Sequence, residues 1–137
     1  MRFLLKVIFY SRYIMDNNYA KSYIYGIKCY TTGELYIGSS YEDINRRLSK
    51  HKVDFRGYMG ITPAYRNYRS SFEVLMNENY KIFKIEDWPC DSKQELETRE
   101  SLWIQKYRKI VCNKRIPRKV ANLVGQAFFT HLPLACP

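Results

Sequence analysis

The chain has 137 residues, enough for one domain with its own hydrophobic core. It carries 23 Lys and Arg against 13 Asp and Glu, a formal net charge of +10. An excess of this size indicates a polyanionic partner, most commonly nucleic acid, although a merely soluble basic surface is the alternative. The cysteines show no close pairing of the metal-binding or redox type, so we expect reduced thiols in the cytoplasm or nucleus.

The N-terminal extension is predicted to cover residues 1–20. Its hydrophobic stretch, Met1–Ile14, is interrupted by Lys6 and Arg12 and is too short to span a bilayer. No small-residue cleavage site follows the apolar part. We therefore expect an extra strand or helix packed on the domain and no membrane partner, with a signal anchor as the alternative.

A β-hairpin is the first predicted element of the domain. The β-rich runs Ser22–Cys29 and Glu34–Ser39 are joined by a short Tyr-Thr-Thr-Gly segment. Cross-strand partners share a face, and side chains alternate with period two along each strand. The hairpin therefore presents Tyr25 and Tyr36 on the same face.

The first helix is predicted to start with Ser40 as its N-cap and Asp43 three residues later. Arg47 and His51 are four residues apart, so they point the same way from this helix. The segment Lys52–Arg69 is basic and contains Gly and Pro, which predicts a surface loop.

The remaining elements end the domain at residue 117. We predict a short helix at Ser71–Asn77 and a third strand at Tyr80–Glu86. A second long helix is predicted from Ser92 to about Tyr107, because Ser92 and Glu95 form a capping box at its start. The domain thus spans residues 21–117. Residues 118–137 form a mildly apolar C-terminal tail without a clear periodicity.

Glu100 stands out because it lies on the apolar stripe of its own helix. That stripe contains Leu96, Trp103 and Tyr107. A buried, unpaired carboxylate costs several kcal/mol, so we expect a partner for it. One interpretation is an ion pair with Arg47 or Arg99. The other is a metal site, and a single carboxylate with several waters suits Mg²⁺, which keeps much of its hydration shell.

Tyr25 and Tyr36 have two interpretations. A tyrosine pair on one β-face is often packing, with the hydroxyls at the rim. A phenol, with a pKa of about 10, can instead serve as a base if a nearby cation or metal lowers that pKa. We expect both hydroxyls to converge with the guanidinium of Arg47 on one phosphate-sized hollow beside Glu100. The residues do not indicate which tyrosine would be the base.

Arg47 and His51 are candidates for contacts with phosphate. Arg47 would neutralise the charge that builds on phosphoryl oxygens, or is one more surface arginine. His51 would hold a tyrosine hydroxyl or a phosphate oxygen, or is a cap or surface residue at the end of the helix. Further candidate DNA contacts follow the second strand and the first helix, although any one of them can be simply solvated: Ser39, Arg46, Lys50, Lys52, Arg56, Arg66 and Arg69.

Several of these residues occur in an ordered set of short motifs. They are Tyr23-Ile24-Tyr25, Tyr36-Ile37-Gly38, Arg47-Leu48-Ser49-Lys50-His51, Glu100 within Arg-Glu-Ser-Leu-Trp-Ile, and Asn113. From about residue 22 to residue 117 this set resembles the GIY-YIG nuclease family. The family's first glycine is replaced here by Tyr23, a departure that bears on the close backbone packing of that strand.

The resemblance implies a small α/β sandwich, with a central three-stranded, mainly antiparallel sheet flanked by helices. It implies a metal-dependent endonuclease that hydrolyses DNA phosphodiesters, with one divalent metal, Mg²⁺ or Mn²⁺, on Glu100 and no small-molecule cofactor. The catalytic residues it implies are Tyr25, Tyr36, Arg47, His51, Glu100 and Asn113. A catalytically inactive, basic nucleic-acid-binding module of the same fold is the alternative. Finer details resemble versions encoded by large DNA viruses, which predicts an intracellular location that includes a virus-infected cell.

Overall fold

The computed structural model describes residues 17–64 and 66–117. The predicted strand or helix within residues 1–14 and the predicted tail at 118–137 lie outside the described residues. A short 3-10 helix, Asn18–Lys21, leads into the domain. Within the described ranges, no helix is both long and apolar enough to cross a membrane.

The sheet consists of β1 (Tyr23–Cys29), β2 (Leu35–Ser40) and β3 (Tyr80–Asp87). The spatial order is β2-β1-β3, and both pairings are antiparallel. The predicted hairpin is confirmed, with Gly33 in its turn at a φ of 77°. The predicted fold class, a three-stranded sheet flanked by helices, is confirmed as well.

Helices cover both faces of the sheet, because buried side chains alternate along β1. Tyr23, Tyr25 and Ile27 face a core formed with α1 (Ile44–Tyr58) and α2 (Phe72–Leu75). On the opposite face, the buried residues of β1 and β2 pack against α3 (Lys93–Lys106); these residues are Ile24, Leu35 and Ile37. The two long helices therefore lie on opposite faces.

The start of α1 differs from the prediction. Asp43 is the N-cap, and its carboxylate accepts the backbone N–H groups of Asn45 and Arg46 at 3.0 and 3.1 Å. Ser40 instead ends β2, and its hydroxyl accepts the N–H of Glu42 at 3.1 Å. The predicted N-cap was therefore wrong by three residues, because Ser40 continues the strand pairing opposite Tyr23.

The end of α1 also differs from the prediction, which assigned a loop from Lys52. The helix continues to Tyr58, since Phe55, one turn after His51, packs in the core that α1 and α2 form with β1. The helix needs glycine at position 57 because the chain that follows packs closely against it. An added Cβ would come within 2.4 Å of the backbone oxygen of Ala64. The chain leaves the helix at Gly60, whose φ is 73°.

The predicted cap of α3 is confirmed. The Ser92 hydroxyl accepts the N–H of Glu95 at 3.2 Å, and the Glu95 carboxylate accepts the N–H of Asp91 at 3.3 Å. Further along α3, Arg99 donates two hydrogen bonds of 2.7 Å to Glu86 of β3. Arg99 therefore forms a buried ion pair with Glu86 of the sheet.

The segment after α3 covers half of the outer edge of β2. Leu35 donates its N–H to the carbonyl of Ile110 and accepts the N–H of Cys112, both at 2.9 Å. The side-chain amide of Asn113 then acts like a further strand residue: it accepts the N–H of Ile37 at 2.9 Å and donates to its carbonyl at 2.8 Å. The edge is covered as far as Ile37 and opens beyond it.

Candidate active site

A cavity of about 1040 Å³ lies where the edge of β2 opens. Tyr36, Gly38 and Ser39 form its floor, Arg47 reaches it from α1, and Glu100 reaches it from α3. Because α1 and α3 cover opposite faces of the sheet, these side chains meet around the strand edge. A hollow lies beside Glu100, but it is far larger than the phosphate-sized one expected, and it wraps the edge of the sheet.

Tyr25 lies beneath this cavity and does not line it. Its side chain is 0% exposed, and it pairs with Gly38 across the sheet. A Cβ added at Gly38 would come within 2.5 Å of the Tyr25 hydroxyl oxygen. Glycine at position 38 is thus required by the phenol below it. The prediction that both tyrosine hydroxyls open into the hollow was wrong for Tyr25.

The hydroxyl of Tyr25 has two fixed partners. The Arg47 Nε donates to it at 2.9 Å, and the His51 Nε2 lies 2.7 Å away. Since Arg47 can only donate, and since His51 is the acceptor that the described residues offer to the Tyr25 O–H, the phenol proton points at His51 Nε2. Of the two roles predicted for His51, the structure has it holding a tyrosine hydroxyl.

Ser71 completes this cluster from the start of α2. With Nε2 of His51 accepting, Nδ1 carries the ring proton and donates to the Ser71 hydroxyl at 3.0 Å. Burial, followed by the charges of Arg47 and Arg69, lowers the pKa of His51 to about 3. His51 is therefore neutral near pH 7 and held in one tautomer.

Tyr36 differs from Tyr25 although the two rings are 6.4 Å apart on the same face, as predicted. It is half-buried, lines the cavity, and packs edge-on against His51 with 5.4 Å between ring centroids. In the described part of the chain, no hydrogen bond reaches its hydroxyl. Tyr36 is thus the tyrosine whose hydroxyl is available to a ligand.

The pKa values of both tyrosines are raised. Burial raises the pKa of Tyr25 well above 10, with a further increase from Tyr36, and Arg47 offsets this only in part. Burial raises the pKa of Tyr36 to about 12, and the Glu100 charge is the second cause. Arg47 alone therefore does not provide the lowered pKa that a tyrosine base requires.

Glu100 has one hydrogen bond, a short one donated by the Ser39 hydroxyl. Arg47 bonds to Tyr25 and Arg99 pairs with Glu86, so neither forms the ion pair considered from the sequence. No other basic side chain within residues 17–64 and 66–117 pairs with Glu100 either. Burial raises its pKa to about 7, while the Ser39 hydrogen bond lowers it. The carboxylate faces the cavity with most of its acceptor capacity unused.

Tyr23, which stands where the resemblance implies a glycine, has a defined role. Its side chain is 4% exposed, and its hydroxyl donates to the carbonyl of Glu42 at 2.7 Å. That bond ties β1 to the turn that leads into α1. The larger residue is accommodated because it packs on the α1 face beside Tyr25, with 6.1 Å between ring centroids.

Three of the seven predicted DNA contacts line the cavity: Ser39, Lys50 and Arg69. The other four are exposed on α1 and the following loop, outside the cavity: Arg46, Lys52, Arg56 and Arg66. Sequence analysis missed several basic lining residues, namely Lys93, Lys114 and Arg115. Lys93 precedes Glu100 by seven residues, two helical turns, and that spacing could have identified it.

Residues 21–115 match the family model of the GIY-YIG catalytic domain, which is more than half of the chain. The chain belongs to the GIY-YIG family. Among solved structures it is similar to the catalytic domain of the homing endonuclease I-TevI, with a TM-score of 0.53 and 21% identity. That similarity covers 69% of this chain and 99% of the other, and it concerns the fold. No curated protein gives a significant match.

Proposed function

We propose that this protein is an endonuclease that hydrolyses DNA phosphodiester bonds with the help of a divalent metal, Mg²⁺ or Mn²⁺. One observation carries the proposal: Glu100 is a largely buried carboxylate that faces the cavity with a single hydrogen bond and no ion pair among the described residues. Family membership and the likeness to the catalytic domain of a homing endonuclease support the same activity.

The residues around Glu100 suit a hydrated metal ion. Among the described residues, no group of three or more His, Cys, Asp or Glu side chains is gathered at one point. The other carboxylates that line the cavity, Glu42 and Glu97, pair with Lys50 and Lys93, so Glu100 is the carboxylate that we assign to a cation. A site with one carboxylate fits Mg²⁺ because that ion keeps several waters. When bound, such an ion supplies positive charge that compensates Glu100 and stabilises charge on the phosphate oxygens.

Arg47 and Ser39 are placed to hold the phosphate. Arg47 uses its Nε for Tyr25, which leaves its two terminal amino groups for the cavity. Along β2, backbone groups alternate in direction, so the N–H of Ser39 points outward like that of Ile37. This position lies beyond the part of the edge that Asn113 covers. A guanidinium and a backbone N–H together stabilise charge on phosphate oxygens.

The two tyrosines have different roles in this proposal. Tyr36 faces the cavity and would act as the phenolate, its proton having left to solvent once the positive charge of a bound divalent cation lowers its pKa. It then takes the proton of the attacking water as the new oxygen–phosphorus bond forms and the bond to the leaving oxygen breaks. Tyr25 is a positioning residue, since its hydroxyl holds Arg47 in place from beneath Gly38. Asn113 positions the floor of the cavity through Ile37.

DNA binding is expected to be mainly electrostatic. The net charge of +10 and the exposed basic residues of α1 supply contacts to backbone phosphates, which carry no sequence information. Affinity should fall steeply as salt rises, and to a similar degree for unrelated duplexes. The resemblance to viral versions and the intracellular location remain predictions from the sequence.

Nicking of supercoiled plasmid tests the activity. We expect cleavage with Mg²⁺ or Mn²⁺ and none with chelator, and we expect Glu100→Gln to reduce the rate on the order of 10³-fold because the metal ligand is lost. Glu97→Gln is the matched control, since Glu97 lies on the same helix, lines the same cavity, and pairs with Lys93 at 3.6 Å.

Metal binding provides a readout that does not depend on activity. Titration of Mn²⁺ by calorimetry should show one site in the wild type and in Glu97→Gln, and no such site in Glu100→Gln. Cleavage by Glu100→Gln at the wild-type rate would contradict the assignment. Tight DNA binding without cleavage in any divalent metal would favour the inactive binding module.

A further inference from the structure

One end of the cavity has a different character from the rest. Tyr41, just after β2, is 43% exposed although it lines the cavity. Tyr19 meets it edge-on, with 5.5 Å between ring centroids and 76° between ring planes. That contact orients the Tyr41 ring and leaves much of its surface open. The end of the cavity thus presents an aromatic surface that the steps proposed above do not use.

This aromatic end and Glu100 are connected through α3, and both line the same cavity. Leu96 precedes Glu100 by four residues on α3, about 6 Å along the helix axis, and it lines the cavity on the same side. Tyr19 packs in the core that contains Leu96, and its carbonyl accepts the N–H of Cys90, just before α3 begins. A group bound at Tyr41 would therefore share the cavity with the phosphate held by Arg47 and Ser39.

The charges at this end are compensated. Glu42 pairs with Lys50 at 2.5 Å, and Lys93 pairs with Glu97 at 3.6 Å. At the other end of the cavity, Lys114 lies 4.0 Å from the carboxylate of Glu73, whereas the exposed Arg115 has no carboxylate partner among the described residues. A phosphate is expected to prefer the basic end, whereas the compensated aromatic end suits a neutral, flat group.

We propose that Tyr41 stacks on an unpaired nucleobase next to the scissile phosphate. The inference rests on the proposed DNA cleavage and adds to it a substrate class: DNA that is branched, frayed or mismatched at the cut. Bases have π-faces that stack on aromatic side chains, and these faces are accessible only when the base leaves its duplex stack. A fully paired duplex would need to be opened first, and that opening costs binding free energy.

Binding to two matched DNA molecules tests this site. Both have the same length and number of phosphates, but one has a short stretch of non-complementary bases in its centre. With chelator present, fluorescence anisotropy should show that the wild type prefers the mismatched DNA by roughly tenfold or more, the order expected for one aromatic stack. Tyr41→Ala and Tyr41→Leu should lose this preference, and Tyr41→Phe should retain it because the ring is kept.

Tyr30→Ala is the matched control. Tyr30 is 46% exposed, a fraction similar to the 43% of Tyr41. It lies in the hairpin turn and does not line the cavity. This variant should keep the wild-type preference. An equal affinity of the wild type for both DNA molecules, or an unchanged preference in Tyr41→Ala and Tyr41→Leu, would overturn the proposal. So would equal loss in Tyr30→Ala, which would indicate a general aromatic surface.

Plasmid nicking separates this inference from the proposed function. A preference that depends on Tyr41, in a protein that cuts no DNA with any divalent metal, would support the nucleobase site and contradict the endonuclease. Metal-dependent cleavage without any preference for mismatched DNA would support the endonuclease and contradict the nucleobase site.

Discussion

The two sides of the β2 edge contrast in how fully their polar groups are bonded. On the α1 side, the Tyr25 hydroxyl binds both Arg47 and His51, and His51 in turn binds Ser71. On the α3 side, Glu100 has a single hydrogen bond from Ser39. Both sides are largely buried, so burial does not explain the difference.

The contrast separates positioning from ligand binding. Buried polar groups are nearly always hydrogen-bonded, and a network that is complete holds its members in one geometry. The Tyr25 cluster is complete, so it fixes Arg47 and has no capacity left for substrate. Glu100 has unused capacity, and so does the hydroxyl of Tyr36, although that ring lies on the α1 side. We therefore expect substitutions in the complete cluster and at the groups with unused capacity to affect different properties.

After Glu100→Gln, the largest effect should come from the tyrosine pair. Tyr36→Phe should lower turnover about 10²-fold or more with little change in stability, because no hydrogen bond from the described residues reaches its hydroxyl. Tyr25→Phe should also lower turnover, but it should cost roughly 1–3 kcal/mol of unfolding free energy, since Arg47 and His51 each lose a buried partner. Single-turnover cleavage and urea denaturation measure the two effects. Equal stability losses in both variants would remove the distinction.

Gly38→Ala tests how rigidly the Tyr25 cluster is held. The added methyl would lie within 2.5 Å of a hydroxyl that two hydrogen bonds fix, so we expect roughly 1–3 kcal/mol of destabilisation and reduced cleavage. Gly26→Ala is the control on the other face, where the added Cβ meets the tip of Phe83 at 2.7 Å. That half-buried ring can shift, so this variant should keep its turnover. Full activity in Gly38→Ala would show that the Tyr25 side chain can move to make room for the added methyl group.

His51 should make stability depend on pH. Its pKa is lowered from 6.5 to about 3 in the folded protein, so below about pH 6.5 the unfolded chain binds a proton that the folded chain does not. Its contribution to the unfolding free energy should fall by roughly 1.4 kcal/mol per pH unit as pH decreases from about 6.5 toward 3.

Urea denaturation between pH 4 and 7 checks this slope. His51→Gln should be less stable than the wild type at pH 7 and should lose less stability on acidification, because residue 51 no longer titrates. His131→Gln, at the chain's other histidine, controls for a change in histidine content. Parallel pH profiles for the wild type and His51→Gln would contradict a neutral, buried His51.

The smallest expected effect is that of Ser71→Ala. Loss of the acceptor for the Nδ1 proton should cost about 1 kcal/mol and allow the other tautomer of His51. Nitrogen chemical shifts of the imidazole report the tautomer directly. Ser70→Ala is the neighbouring control, since the Ser70 hydroxyl accepts the N–H of Lys114 at 3.0 Å and does not touch His51. If the tautomer of His51 is unchanged in Ser71→Ala, then the hydrogen bond with Tyr25 alone determines that tautomer.

Elements with a strong local pattern were predictable from the sequence. The alternation of β1 and β2 placed Tyr25 and Tyr36 on one face, and the Ser92 capping box gave the start of α3. Helical spacing put Glu100 on a buried stripe. Each of these predictions depends on residues within about two turns or one hairpin, where periodicity is informative.

Features that depend on distant residues were not predictable. Ser71 meets His51 across 20 residues of sequence, and no local pattern indicates the contact. The burial of Tyr25 depends on Arg47 and His51 of α1, 22 and 26 residues away, which bind its hydroxyl. The extension of α1 past Lys52 depends on Phe55 reaching the core formed with α2. In each case tertiary packing determined the outcome.

The two hydrogen bonds between the Asn113 side chain and the backbone of Ile37 bear on the order in which the cavity is assembled. The two residues are 76 positions apart, so the cavity floor is completed by one of the last described segments. During synthesis, the hairpin and α1 emerge well before Glu100 and Asn113 do. Long-range contacts of this kind form only after the intervening chain is available. A partly synthesised chain would therefore expose the basic residues of α1 before the cavity with Glu100 and Asn113 is assembled.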